Sequence, residues 1–154
     1  MNMQLYPSSD FADIAERARK RVASICPEAM VEEVGSTSIR GALTKGDVDI
    51  FVGVSQAEFE PSNAVLCTHG FLPKVDTLQT NELRMLVSSD KEIDLACQVV
   101  ILGSQYDFFR AFRDRLNNDI ALVQAYNALK LKHLDLPYEQ YRDAKAAFIE
   151  RVLS

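Results

Sequence analysis

Two aspartates separated by one residue are the first candidates for chemistry in this chain. Asp47 and Asp49 open the apolar segment DVDIFVGV, and alternate residues of a strand point to the same face. A chain with 12 aspartates is expected to contain about one Asp-x-Asp by chance. The pair therefore has no functional meaning by itself, and its significance depends on the residues around it.

A third carboxylate lies in another apolar segment, KEIDLACQVV, where we expect Asp94 to belong to a strand. If that strand lies beside DVDIFV, three carboxylates converge on one face of a sheet. Two like charges about 4 Å apart repel by roughly 4 kcal/mol at an effective dielectric constant of 20, so the cluster needs a cation. Oxygen ligands without thiolate or imidazole favour Mg²⁺ or Mn²⁺. Alternatively, Asp94 ends a solvated strand or pairs with a neighbouring lysine.

A glycine-serine turn, Gly35-Ser36-Thr37-Ser38, follows the short β-prone segment MVEEV. Glycine lets the backbone approach a phosphate closely, and the following amides and hydroxyls can donate hydrogen bonds to it. The spacings of the Walker A loop and of the Rossmann fingerprint are both absent. The alternative is a simple helix cap, with a helical turn in the following IRGAL.

Three basic residues could neutralise a triphosphate. Arg40 and Lys45 lie between the glycine-serine turn and the aspartate pair, and Arg84 lies in a later β-like segment. Basic residues in loops are usually solvated, and Arg84 shares a strand face with Glu82, so a cross-strand ion pair is the alternative there.

The composition limits the class of protein. The chain has 154 residues, 47% hydrophobic and 25% charged, which suits one globular domain. A net charge of −5 disfavours electrostatic binding of a nucleic-acid backbone over a broad surface. The three scattered cysteines favour neither a disulfide framework nor a zinc site and suit a reducing cytoplasm. The N-terminal segment has no apolar signal core and no segment approaches a membrane span, so we expect a cytoplasmic protein.

The hydrophobic periodicity predicts the elements that must position these residues. The first half of the chain has a helix from about Asp10 to Ile25, the strands MVEEV and DVDIFVGV, and a helix over SQAEFEPSNAVLCTHG with Pro61 at its start or at a kink. A hairpin of ELRMLVSS and KEIDLACQVVI follows. Three helices complete the chain: one with the apolar positions Phe109, Phe112 and Leu116, one over 120–134, and one with the apolar positions Tyr141, Ala144, Phe148 and Val152. This order predicts a single α+β domain over residues 1–154, with a sheet core at about 28–102 and a helical tail at about 103–154.

These motifs together resemble the signature of the nucleotidyltransferase superfamily, whose type member is DNA polymerase beta. The pattern is Gly-Ser, then Arg-Gly, then an Asp-x-Asp strand, with a third aspartate on a later strand. The residues that match it in order are Gly35, Ser36, Arg40, Gly41, Asp47, Asp49 and Asp94.

A closer resemblance, from about Val34 to the end, is to the GrpB-like family of that superfamily. The matching pieces are GSTSIRG, Lys45, the strand ending in Asp49, FRDRLNND, YNALKLKH, and the tail residues Tyr141, Lys145, Phe148 and Val152. The family commonly has proline at the position of Arg40, an apolar pair before one aspartate, and a histidine-rich third strand. This chain has Asp47 and Asp94 instead, so its carboxylate set resembles that of a catalytic nucleotidyltransferase.

The resemblance implies a fold and an activity. The fold is a small mixed β-sheet flanked by helices, with a C-terminal helical segment. The activity is metal-dependent transfer of a nucleoside monophosphate from a nucleoside triphosphate to an unidentified hydroxyl acceptor. Asp47, Asp49 and Asp94 would hold Mg²⁺ or Mn²⁺ and act in catalysis. The residues expected to bind the nucleotide and its phosphates are Gly35, Ser36, Thr37, Arg40, Lys45 and Arg84.

Two alternatives to an active transferase stay open at this point. The chain could be a catalytically inactive nucleotide-binding or regulatory module of the same fold, or an interaction domain in which Asp47 and Asp49 keep a sheet edge soluble. Lys130 and Lys145 match the tail of the family and could reach the site. We expect, however, that their stems cover core surface while the ammonium groups stay in water.

Overall fold

The computed structural model describes residues 4–154 and is built around a five-stranded mixed sheet. The strands are β1 (Tyr6–Pro7), β2 (Met30–Val34), β3 (Leu43–Thr44), β4 (Val48–Val54), β5 (Phe71–Pro73), β6 (Leu83–Ser88) and β7 (Leu95–Ile101). The α-helices are α1 (Ala12–Ile25), α2 (Gln56–Thr68), α3 (Phe109–Asn117), α4 (Ile120–Lys132) and α5 (Tyr138–Leu153), and short 3₁₀ turns span Ser8–Phe11 and Ser36–Ser38.

The main sheet has the strand order β2-β4-β7-β6-β5, and β1 pairs with β3 in a separate two-stranded ribbon. Strands β4 and β7 run parallel with Val48 opposite Leu95, whereas the other neighbouring pairs are antiparallel. The predicted strand pair that carries the carboxylates therefore lies side by side at the centre of the sheet.

One face of the sheet packs on α1 and α2 because alternate residues of β4 are apolar. Val48, Ile50 and Val52 meet a stripe of small residues on α1, whose buried positions are Ala15, Ala18 and Val22. These positions follow the three- and four-residue spacing of one helix face. This face forms the largest core cluster, and it fixes β4 so that its odd-numbered residues point to the opposite side.

The opposite face is partly covered by the helical tail. Phe109 at the start of α3 lies 6.4 Å from Phe51, measured between ring centroids. The tail has its own core, in which the rings of Phe112, Tyr126 and Phe148 contact one another at centroid distances of 5.1 to 6.2 Å. Helices α4 and α5 are thereby held on the side of the sheet to which Asp47 and Asp49 point.

The α+β class, the central strands, the hairpin and the tail helices are confirmed. The segment at 39–43 does not form the helical turn that the sequence allowed, because Gly41 adopts φ +80° in a turn closed by a hydrogen bond from Ala42 N to Ile39 O. Pro61 lies inside α2, which begins at Gln56 after the N-cap Ser55. The short strands β1, β3 and β5 were not predicted. Within residues 4–154, no helix is both long enough and apolar enough to cross a membrane.

Candidate active site

Asp49 is the second residue of β4, and Asp47 lies one residue before the strand that it was predicted to open. Both lie on the side of the sheet turned towards the tail. Asp49 Oδ1 accepts a hydrogen bond of 2.9 Å from the Nε2 of Gln98, a residue on β7 that is only 3% exposed. Burial and, second to it, the neighbouring charge of Asp47 together raise the pKa of Asp49 to about 7, against the opposing effect of the Gln98 bond. Close to neutral pH, the Asp49 carboxyl group therefore populates both its neutral and its ionised form.

Asp94 precedes β7 and is not part of it, which corrects the prediction that it lies within a strand. Its carbonyl oxygen accepts a 2.8 Å hydrogen bond from Val48 N, so the residue lies beside Asp47, one position before the Val48–Leu95 pair. Burial and the charge of Asp47 both raise the pKa of Asp94. Asp47 therefore couples the other two carboxylates, although across residues 4–154 no group of three His, Cys, Asp or Glu side chains is already gathered closely enough to hold a metal ion.

The raised pKa of Asp49 predicts how stability depends on pH when metal is absent. The carboxyl ionises at pH 3.8 in the unfolded chain but at about 7 in the folded one, so the folded state is progressively destabilised as pH rises between these values. One pKa unit corresponds to about 1.4 kcal/mol, so the penalty above pH 7 is as much as about 4 kcal/mol. We expect Asp49→Asn to match the wild type near pH 4 and to be more stable at pH 8.

Urea unfolding in EDTA at both pH values measures this difference. Asp13→Asn, a substitution of the same type on the exposed side of α1, is the control and should shift stability little at either pH. Equal stabilities of wild type and Asp49→Asn at pH 8 would contradict the raised pKa of Asp49 in the folded protein.

The glycine-serine turn lies directly against Asp49. Gly35 has φ +75°, a conformation that favours glycine, and leads into the 3₁₀ turn Ser36–Ser38. A Cβ at Gly35 would lie 3.0 Å from Asp49 Cβ and would collide with Asp49 Oδ2. The absence of a side chain therefore brings the backbone of the turn to the carboxylate itself.

Gly35→Ala should cost at least about 1–2 kcal/mol for the left-handed conformation alone and should also displace Asp49. Gly103→Ala is a matched control, because Gly103 has φ +82° but a Cβ there would have no atom of the described chain within 4 Å. We expect both variants to lose stability in thermal unfolding, and Gly35→Ala to lose more. An equal loss in the two variants would indicate that Gly35 does not constrain Asp49.

A buried lysine holds the serine of this turn. Lys130 on α4 is 1% exposed, and its Nζ donates to Ser36 Oγ at 2.9 Å and to the carbonyl oxygen of Leu43. The ammonium also lies 3.9 Å from the ring centroid of Tyr126. Burial and, second to it, the charge of Lys145 together lower the pKa of Lys130 to about 7. The expectation that this ammonium stays in water is therefore wrong.

The hydrogen bond from Lys130 has a directional consequence for Ser36. A hydroxyl carries one proton and two lone pairs, so an oxygen that accepts from an ammonium keeps its own proton for another acceptor. Ser38 Oγ, by contrast, is already used as a donor to the carbonyl oxygen of Gly35 at 2.6 Å. Ser36 is thus the hydroxyl of the turn that is prepared to donate outwards.

Lys45 lies next to the aspartate pair. Its Nζ donates to the Tyr138 hydroxyl at 3.0 Å and is 4.0 Å from Asp47 Oδ2. Burial lowers the pKa of Lys45, but Asp47 and Tyr138 outweigh this effect and the net shift is upward. Lys45 is therefore a firmly charged group, anchored between α5 and the start of β4.

Two further lysines contribute positive charge to the same face. Lys145 on α5 is partly buried, which lowers its pKa, but Tyr126, Asp47 and Asp49 favour its charged form and the net shift is upward. Lys74 is exposed and its charge lowers the pKa values of both Asp49 and Asp94. The electrostatic effect of the carboxylates is thus opposed by lysines from three parts of the chain: Lys45 before β4, Lys74 after β5 and Lys145 on α5.

Thr37 and Arg40 are not directed to this site. Thr37 is buried and its hydroxyl donates to Glu33 Oε2 at 2.7 Å. The Arg40 guanidinium donates to the carbonyl oxygen of Asn117 at 3.2 Å, and its backbone N–H donates to the side chain of the same residue at 2.9 Å. Arg40 therefore fastens the loop to the C-terminal end of α3.

Arg84 lies on the other face of the sheet. It pairs in register with Val99, whose side chain belongs to the α1/α2 core, and its guanidinium binds both carboxylate oxygens of Glu60 at 2.9 and 3.2 Å. The structure thus gives Arg84 an ion pair with α2, in place of the predicted phosphate contact or the alternative pair with Glu82.

Gln98 and Lys74 were missed by the sequence analysis. Gln98 could have been found, because it is a polar residue in a strand that is otherwise apolar and it shares the strand alternation of Asp94. Lys74 follows β5 in an exposed segment, where no periodicity indicates which way a side chain points. Its position became apparent only from the pairing of the sheet.

Comparison with known proteins decides the family. The family model for GrpB protein matches residues 5–154. The chain belongs to the GrpB family. A UPF0157 protein of Vibrio cholerae serotype O1 is 44% identical to this GrpB-family chain over 156 residues, which cover 99% of this chain and 82% of that protein. The match begins well before Val34, where the sequence resemblance was placed.

Solved structures show the same fold. The conserved protein GrpB from Enterococcus faecalis has a TM-score of 0.68 at 16% identity, covering 98% of this chain and 99% of that one. Cid1 poly(U) polymerase, in a structure with MgGTP bound, has a TM-score of 0.53 at 16% identity. The match covers 82% of this chain but 41% of Cid1, so this GrpB-family chain corresponds to less than half of that polymerase. At these identities, the similarity to Cid1 shows the nucleotidyltransferase fold.

Proposed function

We propose that this protein is a metal-dependent nucleotidyltransferase that transfers a nucleoside monophosphate from a nucleoside triphosphate to a hydroxyl acceptor. The observation that supports it most strongly is the contact between the glycine-serine turn and the carboxylate pair: Gly35 lies against Asp49 with no room for a side chain. A phosphate bound to this turn would lie next to Asp47 and Asp49, where a cation could contact both.

The donor atoms suit a hard divalent cation. Asp47 and Asp49 provide carboxylate oxygens at the start of β4. Their mutual repulsion, which adds to burial in raising the pKa of Asp49, is of the kind that a bound cation relieves. In this proposal they hold Mg²⁺ or Mn²⁺, and Asp94 completes a second ion position beside Asp47. Such ions, when bound, would neutralise charge on the triphosphate and make the acceptor hydroxyl more acidic.

The turn and the lysines would hold the triphosphate. Ser36 donates its free hydroxyl proton to a β- or γ-phosphate oxygen, and the backbone at Gly35 allows the close approach. Lys45, Lys145 and Lys74 supply positive charge around the same space. Orientation and charge complementarity would then provide most of the rate acceleration, as is usual for phosphoryl transfer.

The transfer step itself is an in-line displacement. The acceptor oxygen forms a bond to the α-phosphorus, and the bond from the α-phosphorus to the bridging oxygen breaks, so pyrophosphate leaves with the electron pair. Asp94 is exposed and lies beside Asp47, and in this proposal its carboxylate takes the proton of the acceptor hydroxyl and passes it to water.

A second candidate is a nucleotide-binding or regulatory module without turnover. It is favoured by one observation: among residues 4–154, the three carboxylates are not gathered into a ready-made metal cluster. In that case the protein would bind a nucleoside triphosphate at the same turn but would release no pyrophosphate.

Incubation with ATP, GTP, CTP and UTP in turn, with Mg²⁺ or Mn²⁺, separates these possibilities. Pyrophosphate release reports turnover, and thermal shifts with the same ligands report binding. Arg84→Gln is a control that changes an arginine on the opposite face and should leave both signals unchanged. Binding without release, in the presence of candidate hydroxyl acceptors, would favour the regulatory module, and no metal-dependent binding of any nucleotide would overturn both.

A further inference from the structure

A cavity of about 690 Å³ lies between α1 and the edge of the sheet where β4 and β7 begin. The first residues of the two strands, Val48 and Leu95, line it on the sheet side, and Ile14 and Ala18 line it on α1. Pockets of about 300–1,000 Å³ are the usual size for small-molecule sites. The cavity can therefore hold a metabolite-sized ligand, although no nucleotide-binding residue of the glycine-serine turn lines it.

One of the three site carboxylates, Asp94, lines the cavity. Lys45, Gly46 and Asp94 all line it, and Asp94 is coupled to Asp47 through the electrostatic effect on its pKa. Lys45 is also bound to α5, because its Nζ donates to the Tyr138 hydroxyl at 3.0 Å. A ligand in the cavity would thus contact Asp94 at the point where this residue lies beside Asp47.

The shape of this part of the cavity depends on a close backbone contact. Gly46 has φ +102°, and a Cβ there would lie 3.1 Å from the ring of Phe11, which also lines the cavity. Phe11 and Tyr6 present aromatic surface, with ring centroids 6.3 Å apart in an edge-on arrangement. The cavity therefore offers a flat apolar body a place to pack next to Asp94.

Two arginines border the same cavity, one helical turn apart on α1. Arg17 donates to the carbonyl oxygen of Asp13 at 3.4 Å, and Arg21 donates to that of His69 at 3.0 Å. In residues 4–154 neither guanidinium forms an ion pair with a carboxylate, although the exposed Asp10 and Glu92 also line the cavity. The Arg21 guanidinium also lies over the ring of Phe71, 5.2 Å from its centroid. With one carbonyl acceptor each, both guanidinium groups keep donors available for a planar anion.

We propose that this cavity binds the hydroxyl acceptor, and that the acceptor is a small molecule with an apolar, preferably aromatic, body and a carboxylate. The carboxylate pairs with Arg17 and Arg21, the body packs on Phe11 and Ile14, and the hydroxyl reaches Asp94. The role as acceptor depends on the proposed transferase function, whereas ligand binding in the cavity does not. In the reaction, the ligand's hydroxyl oxygen forms the new bond to the α-phosphorus as described above.

Binding can be tested by NMR titration without any turnover. The probes are 4-hydroxyphenylacetate, 4-hydroxybutanoate and the neutral 2-(4-hydroxyphenyl)ethanol, followed through the methyl resonances of Ile14 and Ile93. We expect saturable shifts with the carboxylates and at least about 10-fold weaker binding of the neutral probe, because the charge-assisted bonds are lost. Arg17→Gln, at an exposed position, should weaken the binding of 4-hydroxyphenylacetate by a similar factor. Ile14→Trp should abolish the binding of this probe, because the indole fills the cavity.

Two control variants make substitutions of the same kinds at positions outside the cavity. Lys20→Gln removes a charge from the exposed side of α1, and Ile120→Trp adds an indole at a position of α4 that is 76% exposed. Both should bind the probes as the wild type does. Any of three results would overturn the proposal. These are no saturable shift with either carboxylate probe, binding of the neutral probe as tight as that of the carboxylate probes, and probe binding that Arg17→Gln does not change.

Magnesium-dependent nucleotide binding is measured on the same wild-type preparation. Nucleotide binding without probe binding would contradict the assignment of the cavity as an acceptor site but would not contradict the proposed transferase function. Probe binding without nucleotide binding would leave a carboxylate-binding cavity and remove its role as an acceptor site.

Discussion

Asp49→Asn should reduce metal-dependent pyrophosphate release by more than about 100-fold while leaving the protein at least as stable as the wild type at pH 8. Residues that merely support metal ligands contribute 10–100-fold in affinity or activity, and in our proposal Asp49 is itself a ligand. An asparagine oxygen can still accept the hydrogen bond from Gln98, so the local packing is retained. The substitution removes the charge and leaves the shape of the site nearly unchanged.

The opposite directions of the two effects make this variant informative. Loss of activity through misfolding would be accompanied by lower stability. Removal of the partly buried Asp49 carboxylate, which repels Asp47, raises stability instead. Pyrophosphate release and urea unfolding are therefore measured on the same samples, with Asp13→Asn as the control for an exposed carboxylate. If Asp49→Asn retained full release, Asp49 could not be a metal ligand in the reaction.

The strand alternation in the sequence was enough to predict where the carboxylates lie. Asp47 and Asp49 alternate with buried apolar residues, and such a pattern leaves one arrangement of the faces once the strand is central. The family motifs also predicted the sheet with its helical tail. The exact place of Asp94, one residue before the strand, was not predictable, because local patterns define strand ends poorly.

The basic residues were harder to predict, because a charge in the sequence does not determine its partner. The Arg40 guanidinium donates to the Asn117 carbonyl oxygen at the end of α3, and the Arg84 guanidinium donates to the Glu60 carboxylate on α2. Lys130 is far from the glycine-serine turn in sequence, and it reaches Ser36 because the tail helices pack across the sheet face. Its burial depends on tertiary packing, which overrides the usual preference of lysine for solvent.

The hydrogen bond from Lys130 leads to the second large expected effect. Lys130→Met keeps the length and apolar stem of the side chain but removes the donor to Ser36 Oγ, so the serine hydroxyl is no longer held with its proton outwards. We expect magnesium-dependent binding of inorganic tripolyphosphate to weaken by roughly 10-fold, which is the size of effect seen for supporting residues. Isothermal titration calorimetry measures it, and tripolyphosphate makes the result independent of the preferred base.

A double-mutant cycle decides whether Lys130 acts through Ser36. If it does, Ser36→Ala weakens tripolyphosphate binding by a similar factor, and adding Lys130→Met to that variant weakens it little further. If instead the two effects multiply, the ammonium contributes its own charge to the phosphate and the orientation of Ser36 is not its role. Lys132→Met, two residues further along α4 and exposed, is the control for removing a lysine charge and should bind as the wild type does. The cycle compares variants of one fold, so a general loss of stability, checked by urea unfolding of each variant, cannot imitate the specific coupling between Lys130 and Ser36.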